Sequence, residues 1–121
     1  YQGWADPVVS ALDTIAYYQR VSVATPRAAS FSALFLVPGM GHCSGGPGAA
    51  DFSSGTDASG NIVLALQDWV EKGARPSRIL AMHYTTWQAA NSFSRPICAW
   101  PQQAHYNGRG DTADAASFVC R

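Results

Sequence analysis

The sequence has no surplus of charge of either sign. Of its 121 residues eight are basic and eight are acidic, so the formal net charge is zero, and Lys72 is the only lysine. Proteins that bind nucleic acid or anionic membranes carry clustered basic residues on one face or along one helix. We therefore expect neither nucleic acid nor a membrane among the partners of this chain.

Long apolar runs are also missing, although apolar residues make up 47% of the chain. No stretch approaches the roughly 18 consecutive apolar residues of a membrane-spanning helix, and the first residues lack the pattern of a signal peptide. The length predicts one domain or part of one over residues 1–121, with any targeting segment already removed. Tyr1 is interpreted as the end of a strand whose earlier residues are missing.

Cysteine is scarce and its number is odd. Cys98 and Cys120 flank a segment with little apolar periodicity, which favours a local disulfide and an oxidising compartment. Cys43 is left without a partner of this kind. An unmatched cysteine indicates either a free thiol or a bond to another chain.

The apolar pattern predicts an α/β fold. Ser10 and Asp13 form a capping-box arrangement before one helix, and Gly73 and Pro76 are stop signals after another. The predicted elements are helices over 10–21 and 61–73 and buried strands over 31–37 and 78–84. This order is typical of βαβ units with a parallel sheet. So few strands indicate either an unusually small domain or the C-terminal part of a larger fold.

Two residues follow predicted strands at positions where α/β proteins place functional groups. His42 lies in the glycine-rich stretch LFLVPGMGHCSGGPG, residues 34–48, and Asp6 lies in GWADP. An acid followed by a histidine is the order of the last two members of an α/β-hydrolase triad. The alternatives are a histidine bonded to backbone in a tight turn and an aspartate that stabilises its own turn.

A nucleophile for such a triad is missing. The G-x-S-x-G motif does not occur, and Ser44 follows His42 too closely to occupy a nucleophile elbow. The chain therefore holds at most two of the three triad members.

Other motifs give weaker signals. His83 and His105 are interpreted as a strand-end and a surface histidine, and GRGD at 108–111 as a turn with Arg109 and Asp111 in solvent rather than an adhesion motif. Zinc sites use regularly spaced ligands. That spacing is absent among the residues of suitable type, which are His42, Cys43, His83 and Cys98, so no metal site is predicted.

Several stretches taken in order resemble the C-terminal part of the tannase/feruloyl esterase family, over essentially the whole chain. These are GWADP, TIAYY, LFLVPGMGHCSGGPG, LQDWVEKGARP and RPICAWPQQAHYNGRGDTADAASFVC. The His-Cys pair is the hallmark of that family. The resemblance implies the C-terminal portion of an α/β-hydrolase fold, with parallel strands, covering helices and a disulfide-stapled C-terminal tail.

The resemblance also implies roles for individual residues. Asp6 matches the catalytic acid and His42 the catalytic histidine, while Cys98 and Cys120 match the C-terminal disulfide. In the family the cysteine after the histidine bonds to a cysteine before the nucleophilic serine, so Cys43 would bond to a cysteine outside this chain. The serine, the oxyanion hole and a lid that usually holds a structural calcium precede the acid, so the expected partner is this N-terminal remainder. No cofactor is expected in the chain itself.

The implied activity is hydrolysis of carboxylic esters of aromatic acids through an acyl-enzyme, by a secreted or periplasmic enzyme. Gallates, hydroxycinnamoyl sugars and the mono(hydroxyethyl) ester of terephthalate are the family's substrates. Val8 and Val9 either point toward the acyl pocket, as the resemblance implies, or begin the apolar face of the following helix.

Two other hypotheses remain for the chain alone. It could be a secreted, disulfide-stapled binding module without catalysis, in which Cys43 is free or dimerising. Alternatively, Cys43 could be a redox-active thiol activated by His42, since a neighbouring imidazolium lowers the pKa of a thiol. The bonding partner of Cys43 distinguishes the esterase from both.

Overall fold

The structure, a computed structural model, describes residues 1–84 and 92–121. Its elements alternate between strands and helices in the first two thirds of the chain and are mainly strands afterwards. They are β1 (Gln2–Gly3), α1 (Ala11–Ala24), β2 (Leu36–Val37), α2 (Ile62–Lys72), β3 (Arg78–His83), β4 (Phe93–Cys98), β5 (Ala104–Tyr106) and β6 (Phe118–Cys120). Single 3₁₀ turns occur at Ala28–Ser30 and Ala115–Ser117.

Both predicted helices are confirmed, and side-chain caps begin them. The Ser10 hydroxyl accepts a hydrogen bond from the amide of Asp13, which satisfies one of the free donors at the start of α1. The Asn61 side-chain oxygen accepts hydrogen bonds from two amides at the start of α2. That helix ends at Gly73, whose φ of 71° is left-handed. Helix α1 runs three residues beyond the predicted end. Neither helix has the length and apolar character needed to cross a bilayer.

Among the described residues the strands form three two-stranded sheets, of which only the pair of β1 and β2 is parallel. Gln2 pairs there with Leu36 and Gly3 with Val37. Strand β3 pairs with β4, and that pair is antiparallel. The predicted strand at 78–84 is therefore confirmed, but its predicted place in a parallel sheet is wrong among the described residues. Nine residues, 84–92, separate β3 from β4, and a parallel crossover needs a dozen or more.

Two further predictions about strands need correction. The predicted strand at 31–37 has regular pairing only over Leu36–Val37, with Phe35 forming an isolated bridge to Ala99. Phe31 lies at the end of a 3₁₀ turn and is 61% exposed, so its segment is not a buried strand. The segment between Cys98 and Cys120, which has little apolar periodicity and was expected to be loop-rich, contains an antiparallel pair, β5 and β6. Strand β4, which precedes it at Phe93–Cys98, was not predicted.

The hydrophobic core reaches into the loop that follows β2. Met40 is fully buried and Ala49 is 3% exposed, so both arms of the loop containing His42 are anchored in the core. The same cluster includes side chains from the strands, from α2 and from the segments beside them, namely Phe35, Val37, Phe52, Ala65, Ile79, Ala81, Ile97 and Ala99. The loop is therefore held in place at its base although its tip is exposed.

A disulfide joins Cys98 at the end of β4 to Cys120 at the end of β6. Two backbone hydrogen bonds between Gln103 and Arg121 extend the β5–β6 ladder beside it. A disulfide that closes a loop of about this length raises the free energy of unfolding by roughly 3 kcal/mol. It connects the C-terminal hairpin to the strand that borders the core.

Close packing of backbone against backbone positions β1. An added Cβ at Gly3 would lie against the carbonyl oxygens of Met40 and Gly41, closer than real Cβ atoms approach any neighbour. We expect Gly3→Ala to lower the free energy of unfolding by about 2 to 3 kcal/mol, because the obstructing atoms are backbone and yield little.

The matched control is Gly60→Ala. Its added Cβ would meet only ordinary van der Waals neighbours, Gly55 Cα at 3.5 Å and the Leu80 oxygen at 4.0 Å. Urea unfolding of the two variants and the wild type tests the difference. Equal stability of the two variants would contradict a close approach at Gly3.

Candidate active site

Asp6 lies in the turn between β1 and α1. Its Oδ1 accepts hydrogen bonds from the amides of Val8 at 2.8 Å and Val9 at 3.0 Å. The amide of Ala5 donates to the carbonyl of Met40, which keeps this turn beside the loop that follows β2. Asp6 therefore stabilises its own turn, as one interpretation of the sequence expects, and that turn fixes the orientation of its carboxylate.

His42 lies on the loop between β2 and α2. The loop is narrowed by hydrogen bonds from the Gly41 amide to the Gly45 carbonyl and from the Gly48 amide to the Gly39 carbonyl. Left-handed backbone at Gly39, with φ of 72°, is one of the conformations that glycine permits here. The result is a tight loop that presents the imidazole at the carboxyl end of β2.

Asp6 and His42 are in direct contact. His42 Nδ1 lies 2.8 Å from Asp6 Oδ2. The aspartate side chain is 3% exposed and the histidine side chain is 52% exposed, so the acid is enclosed and the base faces outward. An ionised carboxylate only accepts hydrogen bonds, so in the neutral imidazole Nδ1 bears the proton and Nε2 presents its lone pair. Within residues 1–84 and 92–121 Nε2 has no hydrogen-bond partner.

The surroundings of Asp6 stabilise its charged form. Burial by itself raises the pKa of the carboxyl, but hydrogen bonds outweigh it: those from the amides of Val9 and Val8, then those from the side chains of His42 and Gln2. The pKa of Asp6 is consequently held well below its usual range. The carboxylate is therefore ionised wherever the histidine could act as a base.

Gln2 is the fourth group that contacts Asp6, and it was not among the predicted site residues. Its Nε2 donates to Asp6 Oδ2 at 2.8 Å, across the turn that joins β1 to α1. No local motif marks such a residue, because its contact depends on how the turn folds back on β1.

Cys43 directly follows the histidine and is exposed with a free thiol in the described part of the chain. Its φ of 64° is left-handed, which is uncommon for a residue other than glycine. The Tyr1 hydroxyl donates to its carbonyl at 3.4 Å. The thiol therefore stands at the surface next to the base, on a backbone that its neighbours hold in place.

Val8 and Val9 lie before the first residue of α1 and are 74% and 41% exposed. They therefore do not begin the apolar face of the helix, which was one interpretation of the sequence. Their amides bind Asp6, and their side chains border the turn that holds the acid.

The remaining candidates are dispersed. His83 ends β3 and contacts the Gly48 carbonyl through Nδ1 at 2.9 Å, while His105 is exposed in β5. Arg109 and Asp111 are exposed in the turn that follows β5. Among the described residues there is no group of three or more His, Cys, Asp or Glu side chains that could hold a metal ion.

A carboxylate that contacts Nδ1 of an imidazole, at the carboxyl ends of adjacent parallel strands, is an arrangement typical of the acid and the histidine of α/β-hydrolases. The chain matches the family described as "Tannase and feruloyl esterase" over residues 1–121. It belongs to that family.

Individual relatives support the assignment. The chain is 44% identical over 121 residues to a mono(2-hydroxyethyl) terephthalate hydrolase from Piscinibacter sakaiensis, covering 99% of this chain and 19% of that protein. It is 29% identical over 131 residues to a probable feruloyl esterase B-2 from Aspergillus terreus, covering 99% and 25%. The chain thus spans a quarter or less of the length of these relatives.

A solved structure shows the same fold. The crystal structure of feruloyl esterase B from Aspergillus oryzae superimposes with a TM-score of 0.82 at 24% identity, covering 98% of this chain and 25% of that one. The α/β-hydrolase type of fold that the sequence resemblance implied is therefore confirmed. Its parallel pairing is present at β1 and β2.

The lowered pKa of Asp6 predicts how stability depends on pH. Its ionised form favours the folded state, so this contribution is complete above the usual carboxyl range and is lost as the pH falls through the folded value. Asp6→Asn should therefore be less stable than the wild type at neutral pH, because an amide NH₂ would face the donors His42 and Gln2.

The measurement is urea unfolding of both proteins between about pH 2 and pH 7. The stability difference should shrink as the pH falls below about 4, where the unfolded carboxyl becomes protonated. A difference that stays constant or grows toward low pH would contradict a lowered pKa for Asp6.

Proposed function

We propose that this chain supplies the acid and the histidine of a serine carboxylesterase that hydrolyses esters of aromatic acids. The observation that carries the proposal is the 2.8 Å contact between His42 Nδ1 and Asp6 Oδ2, with Nε2 left available on a half-exposed imidazole. This arrangement is suited to taking a proton from a hydroxyl that approaches from outside the described residues.

The proposed reaction proceeds by acyl transfer. His42 Nε2 takes the proton of the serine hydroxyl as its oxygen attacks the ester carbonyl, and then returns that proton to the departing alcohol. A water molecule, activated by the same nitrogen, hydrolyses the acyl-enzyme. Asp6 holds the tautomer with the proton on Nδ1 and stabilises the imidazolium in each step.

The serine belongs to a segment outside this chain. Ser44, two residues after the base, makes no hydrogen bond to His42 in the structure described. The relatives are four to five times longer than the part that this chain matches, which leaves ample length for a nucleophile-bearing segment. We propose that this N-terminal remainder is the partner of the chain, on the same polypeptide or as a second one.

Cys43 is proposed to join the two parts. Its thiol is exposed beside the base, so a cysteine that precedes the serine would bring the nucleophile to Nε2 when the two sulfurs bond. A bond of this kind forms in an oxidising compartment, as does the bond between Cys98 and Cys120. Both support a secreted or periplasmic location.

The proposed acyl group is that of an aromatic acid. The names of two relatives refer to a terephthalate monoester and to feruloyl esters, and both kinds of ester contain an aromatic acid. Val8 and Val9 expose small aliphatic side chains beside the acid, where they would leave room for a ring in the acyl pocket. The structural calcium that the family resemblance implies belongs, in this proposal, to a lid outside the chain.

Replacement of the histidine tests the catalytic assignment. In the complete enzyme, His42→Ala should lower kcat for aromatic-acid esters by a factor of at least about 10⁴, because the serine loses its base. The measurement is steady-state hydrolysis of a methyl hydroxycinnamate and of mono(2-hydroxyethyl) terephthalate.

The matched control is His105→Ala, which removes an exposed histidine in β5. It should leave kcat within a factor of about two, since surface substitutions away from a site have small effects. Near-normal turnover of His42→Ala, with the control unchanged, would eliminate the proposed role of His42.

The state of Cys43 tests the proposed partner. Intact mass spectrometry with and without reduction, followed by peptide mapping, should show Cys43 bonded to a peptide that contains Cys-Ser. That peptide would come either from a second polypeptide or from another part of one continuous chain. A mass change on reduction that corresponds to the bond between Cys98 and Cys120 alone would refute the link and favour a binding module or a free thiol.

A further inference from the structure

Gln2, the first residue of β1, contacts the acid of the proposed catalytic pair through its side-chain amide. Its Nε2 lies 2.8 Å from Asp6 Oδ2, the same oxygen that accepts from His42 Nδ1. Two donors of different kinds therefore converge on one carboxylate oxygen. One is the histidine itself, and the other is an uncharged amide that does not titrate.

The orientation of the Gln2 carboxamide follows from its neighbours. Its nitrogen also lies 3.2 Å from the Val9 carbonyl oxygen and 3.3 Å from that of Gly3, which are both acceptors. Its oxygen lies 3.4 Å from the Thr14 hydroxyl on α1, which also approaches the Ser10 carbonyl. Only the orientation with NH₂ toward Asp6 satisfies these partners, because a reversed amide would place oxygen against three oxygens.

We infer that Gln2 is a positioning residue for the Asp6–His42 pair, an inference that rests on the proposed function. A carboxylate has about four lone-pair sites. In Asp6 they are taken by the Val8 and Val9 amides on Oδ1 and by Gln2 and His42 on Oδ2. Each oxygen thus has two donors, and the carboxylate plane is fixed relative to the imidazole.

Gln2 also connects the acid to two elements of the fold. Through Gly3 and Val9 it joins both ends of the Asp6 turn, and through Thr14 it joins that turn to the first half of α1. The position of Oδ2 therefore depends on the positions of β1 and α1, and not only on the rotamer of Asp6. Small displacements matter here, because a misplacement of about 1 Å in a catalytic constellation costs about 100-fold in rate.

The second effect is electrostatic. The hydrogen bond from the Gln2 amide stabilises the negative charge on Oδ2, so less of that charge is available to stabilise a protonated His42. Within the described residues, the titratable groups that form hydrogen bonds in this network are Asp6, on the loop after β1, and His42, on the loop after β2. The contact from α1 is Thr14, which is uncharged. Loss of the Gln2 amide should thus move the acidic limb of the pH–rate profile to higher pH.

The experiment compares three variants of the complete esterase. Gln2→Met keeps the length of the side chain and removes the amide. Gln67→Met is the matched control, because Gln67 also donates to a carboxylate four residues later, that of Glu71, but on the exposed face of α2. Gln2→Glu keeps the shape and makes the donor depend on pH.

Gln2→Met should lower kcat by about 10- to 100-fold with KM changed less than threefold, and should shift the acidic limb of kcat/KM to higher pH. Gln67→Met should match the wild type. Gln2→Glu should approach wild-type turnover at the lower end of the active pH range, where its protonated carboxyl donates to Asp6. It should lose activity as the pH rises, because two adjacent carboxylates cannot both ionise without repulsion.

The outcomes separate this inference from the proposed function. A wild-type enzyme without esterase activity, or an active His42→Ala variant, would overturn the proposed function itself. If those results agree with the proposal but Gln2→Met keeps the kcat and pH profile of Gln67→Met, the positioning role of Gln2 is wrong. Should Gln2→Met fail to fold, Gln2→Glu decides: a pH profile identical to that of the wild type overturns the inference.

Discussion

The parallel pairing of β1 with β2 is the constraint on which the candidate site depends. Two parallel strands end at the same edge of a sheet, so the residues after Gly3 and after Val37 leave side by side. This brings Asp6 and His42, which are 36 positions apart in sequence, to 2.8 Å. The pair is short, only two residues on each strand, and its position is fixed by packing around it. Met40, three residues after β2, is fully buried. Strand β1 passes so close to the backbone of Met40 and Gly41 that only glycine fits at position 3.

The rigidity of the two loops has different origins. Hydrogen bonds to a charged group organise the Asp6 turn, because the carboxylate accepts from two amides, an amide side chain and an imidazole. The loop of His42 is organised in another way. Backbone hydrogen bonds between glycines close it, and a buried apolar side chain anchors each of its two arms. The turn that holds the acid is therefore set mainly by electrostatics, and the backbone of the loop that holds His42 mainly by packing. A change in pH acts on the first of these and leaves the second intact.

The parts of this arrangement that were predictable from sequence are those with local signals. The capping residues Ser10 and Asn61 and the left-handed Gly73 mark helix ends, so the starts of both helices and the end of α2 could be predicted to within one residue. The end of α1 has no such marker, and that helix continues three residues beyond the prediction. Asp6 and His42 were recognisable because each follows an apolar or aromatic stretch and precedes or enters a turn. The antiparallel partner of β3, the β5–β6 pair and the contact of Gln2 with Asp6 depend on residues distant along the chain or folded back across a turn. No periodicity within a short window contains that information.

The geometry of the pair also bears on how a triad can be assembled from two segments. A general base is effective when its orientation is set before the proton is transferred, since reorganisation during the reaction adds to the barrier. In this chain the tautomer and direction of His42 are already determined by Asp6, whose carboxylate is saturated with donors and ionised. A segment that brings a serine need only place one oxygen within hydrogen-bond reach of Nε2. The exposed thiol of Cys43 is one residue from that base, so a disulfide there would restrict the approach of the serine with a minimum of intervening backbone. Under the proposed function, preorganisation of His42 and tethering of the nucleophile are thus separable properties, and the contact between Asp6 and His42 would provide the first of them.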